Sequence, residues 1–196
     1  MPHLRTLTDR LTVPSRRYSK TVRRTREQLL DAATRVLLRD GAEHVTLSAV
    51  AAEAGVSKGG LLYHFASKAA LAAGLVDRLV GRFDAAMHSC DERPGAATRT
   101  YLAHSVGQTP AGDRQAAAAV LAGLLMDPAS LAPLRERYTR WQHRLENDGI
   151  DPAVATVVRL AADGWWQAEL LDLAPPDPAL REQVLAMLDS LITGGD

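Results

Sequence analysis

Apolar residues recur at three- and four-residue spacings along most of the chain, the period of a helix with one buried face. Leu29, Ala33, Val36 and Leu37 mark such a face between about Arg24 and Asp40, and Gly41 stops it. Leu47, Val50, Ala51 and Ala54 mark a second, shorter helix that ends at Gly55, a residue suited to a left-handed turn. Ser57 can cap a third, whose apolar set is Leu61, Leu62 and Phe65. Ser67 repeats the capping pattern before a long helix through Leu71, Leu75, Leu79, Phe83 and Met87, which by position links a head of three helices to a helical body.

Beyond that helix the starts are marked by proline. Arg93-Pro94, Asp127-Pro128, Asp151-Pro152 and Asp177-Pro178 each place proline where a first helical residue is tolerated, and in the last three an aspartate stands at the N-cap. Another start near Gly112-Asp113 leads to Met126, and Gly149 closes the helix that begins at Pro128. The pattern predicts about nine helices and no strand, an all-α fold.

Residues 46–65 are the informative stretch. Two short helices across a Gly-Val-Ser turn make a helix-turn-helix, in which the second helix enters the major groove and its outward face needs small or polar residues. Ser57, Lys58, Gly59, Gly60 and Tyr63 supply that face. Paired glycines cost about 1 kcal/mol each inside a helix, a cost that makes sense where the backbone must approach another surface.

Thr46, Ala51 and the run AGVSKG-x-L-xx-HF-x-SK, ending at Leu71, resemble the N-terminal signature of the TetR family of bacterial transcription regulators. With the preceding helix the resemblance covers roughly residues 24–72; the remainder is similar in length and helical character. It implies phosphate contacts from Thr46 and from Lys68 of the Ser-Lys pair; together with the outward face of the second helix this gives an expected DNA-facing set of Thr46, Ser57, Lys58, Gly59, Gly60, Tyr63, His64 and Lys68. Where the family commonly has tyrosine this chain has Leu62, with the aromatic one place on. One residue turns a side chain about 100° around a helix, so Leu62 is expected to pack inward and Tyr63 to face the groove.

Charge supports a divided chain. Net charge is zero over 196 residues, but residues 1–68 hold 12 Lys and Arg against 6 Asp and Glu, leaving 11 against 17 for residues 69–196. A basic head on an acidic body suits nucleic acid at one end only. The expected division is a flexible basic arm over 1–22, with Arg5, Arg10, Arg16, Arg17 and Lys20, then a DNA-binding domain over 23–66 and a helical ligand-binding and dimerisation domain over 67–196. The arm could lie along phosphates or enter a minor groove, or be no more than a start-site tail.

A single cysteine, Cys90, excludes an intrachain disulfide and fits a reducing cytosol. The N-terminus lacks the apolar core of a signal peptide, and the longest apolar run, Ala116 to Met126, is too short to span a bilayer, so a cytoplasmic protein with no membrane partner is expected. His88 and Cys90 point to different sides of a helix, and no other pair has metal-ligand spacing. There is no G-x-S-x-G elbow, Walker loop or G-x-G-x-x-G. Neither a metal, a cofactor nor an enzymatic activity is expected.

The three tryptophans, Trp141, Trp165 and Trp166, lie in the body. Core packing explains tryptophans in general, yet adjacent Trp165 and Trp166 point to different surfaces. Met87, Tyr101, His104, Met126, Tyr138, Trp141 and Trp166 form the expected ligand-binding set, apolar walls with a few polar groups. The TetR resemblance implies that the last two helices dimerise as a four-helix bundle, with Val158, Trp165, Leu180, Val184, Leu188 and Leu191 in the seam. The whole reads as a ligand-responsive, homodimeric transcriptional regulator, usually a repressor in that family, on a pseudo-palindromic operator. A helical small-molecule-binding protein without operator binding is the alternative; a DNA-architectural protein would leave the acidic body unexplained.

Overall fold

A computed structural model describes the backbone of residues 16–107, 111–126 and 129–194, with the side chains of all of these but 16–21, 111–113, 125 and 126. The described residues form nine α-helices and no strand: α1 Arg16–Asp40, α2 Leu47–Glu53, α3 Lys58–His64, α4 Lys68–Ser89, α5 Ala96–Ser105, α6 Ala111–Met126, α7 Ala132–Glu146, α8 Pro152–Leu171 and α9 Pro178–Thr193. A single 3₁₀ turn, Ala42–His44, joins α1 to α2. The all-α expectation holds, and so does the helix-turn-helix.

Local chemistry explains most boundaries. The hydroxyls of Thr46, Ser57 and Ser67 accept from the Ala49, Gly60 and Ala70 amides, each at 3.1 Å, and so satisfy donors that the first turns of α2, α3 and α4 leave free. Asp151 and Asp177 do the same for α8 and α9. Gly41 and Gly55 take φ of 89° and 68°, left-handed values that end α1 and turn the chain between α2 and α3.

Three boundaries differ from expectation. α1 starts at Arg16, taking in residues 16–22 of the expected arm, because no proline or glycine follows Pro14 to stop a helix growing backwards; residues 1–15, with Arg5 and Arg10, lie outside the described residues. α5 starts at Ala96 rather than Pro94, after Gly95 at φ 78°. α7 starts at Ala132 with Pro133 in its first turn, while Pro128 lies outside the described residues.

Two apolar cores result. The first joins Leu29, Leu30 and Val36 of α1 to Val50, Leu61, Phe65 and the N-terminal part of α4, and it also takes in Val120 and Leu124 of α6. The second gathers Met87, Tyr101, Trp141, Leu145, Val158 and Trp165 against Leu188 and Ile192 of α9. α4 therefore runs through both. A Cβ at Gly74 of α4 would stand 2.7 Å from the Phe65 ring, so glycine lets α4 sit directly on the end of α3. Arg78 of α4 fastens this joint: it donates to Asp31 at 2.6 Å, to the Leu30 carbonyl at 3.2 Å and to the Thr34 hydroxyl. Glu53 ties α2 to α1 by accepting from Arg35 and Arg39 at 2.8 Å each, and the two guanidinium groups hold its carboxyl below the usual carboxylate range.

Candidate functional site

Helix α3 turns only Leu61 fully inward, with Phe65 one turn later, because those two positions share a stripe. Every residue from Ser57 to Gly60 is exposed, as are Thr46 and Lys68, and His64 is half-buried. Tyr63 is 68% exposed, its ring edge-on to His64 with centroids 5.1 Å apart. A Cβ at Gly59 would meet nothing closer than the Ser57 hydroxyl at 3.9 Å, so packing within the chain does not require glycine there. Neither Lys58 nor Lys68 has a carboxylate partner among the described residues, although Arg26, Arg35 and Arg39 of α1 do.

Leu62 is where the expectation fails. The inward placement is not what the structure shows: Leu62 is 39% exposed, beside Tyr63 on the open side of α3. Leu61 takes the core position instead. Two adjacent leucines cannot share one stripe, and the neighbours in α1 and α2 decide which is covered.

In the body, four of the expected ligand residues come together around Phe83, which the sequence marks only as one apolar position of a helix. The Phe83 ring lies edge-on to Tyr101 at 4.8 Å, tilted against Trp141 at 4.6 Å and edge-on to the exposed His104 at 6.3 Å; Tyr138 meets Trp141 at 5.1 Å. Met87 is buried in the same core. Trp166 is half-buried on α8, and the side chain of Met126 lies outside those described.

A carboxylate that sequence reasoning misses organises this cluster. Asp163 accepts from the Tyr101 hydroxyl at 2.6 Å, from Tyr138 at 3.4 Å and from Arg159 at 2.9 Å. Burial pushes its carboxyl up, against the opposing pull of the Tyr101 hydrogen bond and the Arg159 charge. Burial likewise raises both tyrosines, Tyr138 to about 12. The one signal in the sequence is an acid beside the apolar stripe of Val158, Ala162 and Trp165.

The residues expected in a dimer seam differ in their exposure. Val158, Trp165 and Leu188 are buried within the single chain, since one face of α8 packs on α5 and one face of α9 closes the second core. They leave little surface for a partner. Leu180 and Leu191 are exposed and Val184 is half-buried. Val157, Leu160, Leu171 and Met187 are large exposed apolar residues on the same two helices. Among the described residues no helix is long and apolar enough to cross a membrane, and no three His, Cys, Asp or Glu side chains come together as metal ligands.

A capped helix-turn-helix with uncompensated lysines, carried by a helical body with its own aromatic core, defines a two-part helix-turn-helix protein. Residues 29–75 match the model for bacterial regulatory proteins of the tetR family, and residues 95–193 match the tetracyclin repressor-like C-terminal domain. The chain belongs to the TetR family of bacterial regulatory proteins. It is similar to the HTH-type transcriptional regulator TtgR of Pseudomonas putida, 38% identical over 64 residues, which is 33% of this chain and 30% of that protein. The match thus spans under a third of that relative's length. Among solved structures, a TetR-family member from Streptomyces coelicolor A3 is 26% identical with a TM-score of 0.60, covering 84% of this chain and 97% of the other. The multidrug binding protein EbrR complexed with imidazole is 25% identical with a TM-score of 0.55, covering 83% and 93%.

Proposed function

We propose that this protein is a ligand-responsive, DNA-binding transcriptional regulator, a repressor that holds a pseudo-palindromic operator as a homodimer and is released by a small molecule. The observation that carries the reading is the exposed side of α3, where small residues, Lys58 and Tyr63 face solvent and Lys68 stands exposed at the start of α4. In this reading α1, with the basic N-terminal segment before it, opens a DNA-binding unit that runs to residue 66, 67–196 is the ligand-binding and dimerisation unit, and the protein works in the cytoplasm. Thr46 and Ser57 use hydroxyl lone pairs as caps and keep their own hydroxyl hydrogens for phosphate oxygens.

The dimer is formed by the exposed apolar residues of α8 and α9, Val157, Leu160, Leu180, Met187 and Leu191, which a two-fold axis would bury twice over. The two α3 helices then meet successive major grooves about 34–36 Å apart. The body's effector site is assigned to the surroundings of Tyr101, Tyr138 and Asp163, where polar groups converge among aromatic walls. EbrR, a structural relative solved as a multidrug binding protein, supports a small-molecule role for such a body.

A gel shift on DNA flanking the protein's own gene, repeated across a salt series, tests the reading. A specific shift that weakens steeply with salt is expected. A folded protein that shifts no DNA from that region would instead favour the helical ligand-binding alternative.

A further inference from the structure

A cavity lies between the head and α6, apart from the aromatic cluster around Asp163. It holds about 380 Å³ and opens at the joint between α1, α4 and α6. Leu37, Val45, Leu71 and Leu75 line it from the head side, and Val120, Gly123 and Leu124 from α6. This volume lies within the range of small-molecule sites, and the walls are mainly apolar, with Glu43, Lys68 and Ser130 the polar or charged residues among them. Gly123 helps to keep it open: a Cβ there would stand 3.2 Å from the Leu37 side chain, tight enough to push into the space between the two helices.

The polar groups at its edge are unequal. Lys68 lines the cavity from the first turn of α4 and has no carboxylate partner among the described residues. Glu43 also lines it, but its side chain is 84% exposed and lies 3.7 Å from His44. Both side chains are exposed, and Lys68, with no opposite charge beside it among the described residues and at the positive end of α4, a 22-residue helix, is the one left to pair with a ligand. Apolar walls closed by one ammonium without a carboxylate partner fit an amphipathic anion.

We propose that this cavity binds a small aliphatic or aromatic carboxylate, with its hydrocarbon between Leu71, Leu75, Val120 and Leu124 and its carboxylate on Lys68. Because the walls come from the head, from α4 and from α6, such a ligand bears on all three at once, and it occupies the ammonium assigned above to a DNA phosphate. The binding stands by itself; its regulatory consequence rests on the DNA-binding reading.

Isothermal titration calorimetry of the full chain without DNA, with decanoate, 1-decanol and decylammonium as probes, separates the two. One decanoate per chain is expected, bound more tightly than the cation of equal length. Lys68→Gln should weaken decanoate about tenfold or more, the usual loss for a hydrogen bond to a charged group, and leave decanol nearly unchanged. Ala72→Phe, which fills the cavity from α4, should abolish binding of both, with circular dichroism checking the fold; Gly123→Val fills it from α6 should that variant fail to fold. Undiminished decanoate binding in the filled variants, equal binding of decylammonium, or no saturable heat would overturn the site. Decanoate that binds as expected yet leaves an established operator shift unchanged would overturn the regulatory consequence alone.

Discussion

Asp148, buried in the turn between α7 and α8, accepts from both the backbone amide and the hydroxyl of Thr98, at 2.8 and 2.7 Å. Its other oxygen accepts from the Ala97 amide at 3.0 Å, and its carbonyl from Gly95 at 2.8 Å. The N-terminus of α5 thus takes its cap from another part of the chain, because Gly95 has no side chain to supply one. A buried carboxylate at a helix start is favoured by the free amides and by the helix dipole together.

Replacing Asp148 by alanine strands three buried donors without partners. The loss should be about 3 kcal/mol or more, at roughly 1 to 3 for each unsatisfied group. That should appear as a fall of several degrees or more in melting temperature by calorimetry. Asp148→Asn keeps acceptor oxygen and should lose clearly less; equal loss in both variants would contradict a capping role.

The contrast with Thr46, Ser57 and Ser67 shows what a reader of the sequence can reach. Those caps close on amides three residues away, so residue type and position suffice. Asp148 acts across 50 residues and carries no local signature. Leu61 and Leu62 are alike as neighbours in a string, and only α1 and α2 decide which one is covered. α8 and α9 each have more apolar positions than one face can hold, so the pattern marks them as buried helices without showing which stripe serves the chain's own core. Asp163 and Phe83 gain significance only when α4, α5, α7 and α8 bring their rings and carboxylate together.

Leu61→Ala empties a fully buried position in the head and should lower stability by about 2 to 5 kcal/mol in urea unfolding. Leu62→Ala should change it little, since the side chain is exposed. If the proposed function holds, Leu62→Ala and Tyr63→Phe both weaken operator binding while the melting temperature stays put. A stability loss confined to Leu62→Ala would restore the inward placement that the sequence pattern implies.

Asp163 should make part of the folding stability depend on pH. Its folded carboxyl titrates above the unfolded value, so the folded chain binds the proton more tightly. That contribution is complete below the unfolded value, near pH 3.8, and is lost as pH rises through the raised folded one. Asp163→Asn cannot titrate there. Urea unfolding of both proteins at a series of pH values above about 4, the ordinary carboxyl range, should show the parent losing stability relative to the variant as pH rises. A constant difference would mean that burial does not perturb the carboxyl.

Lys58 and Lys68, without carboxylate partners among the described residues, are expected to face phosphate or base edges. Lys68→Ala should weaken all DNA sequences about equally and reduce the salt slope by about one unit. Lys58→Ala, from the exposed side of α3, should also narrow the gap between operator and unrelated DNA. Fluorescence anisotropy across a salt series distinguishes the two effects, and unchanged slopes for both variants would remove these lysines from the interface.

The dimer seam can be tested by placing one charge on either side of α9. Met187 is 66% exposed and Leu188 only 5%, although the two are adjacent. Leu188→Glu puts an unpaired carboxylate into the core shared with Trp165 and Tyr101, where a buried charge without a partner costs several kcal/mol, so it should unfold the body. Met187→Glu leaves that core intact. In a two-fold seam it would be inserted twice, against its own copy, and should yield folded monomers in analytical ultracentrifugation. Operator affinity should then fall by about 10²-fold or more, because the second head no longer benefits from the effective concentration set by the first. A Met187→Glu protein that sediments as a dimer would place the two-fold contact somewhere other than the exposed stripe of α9.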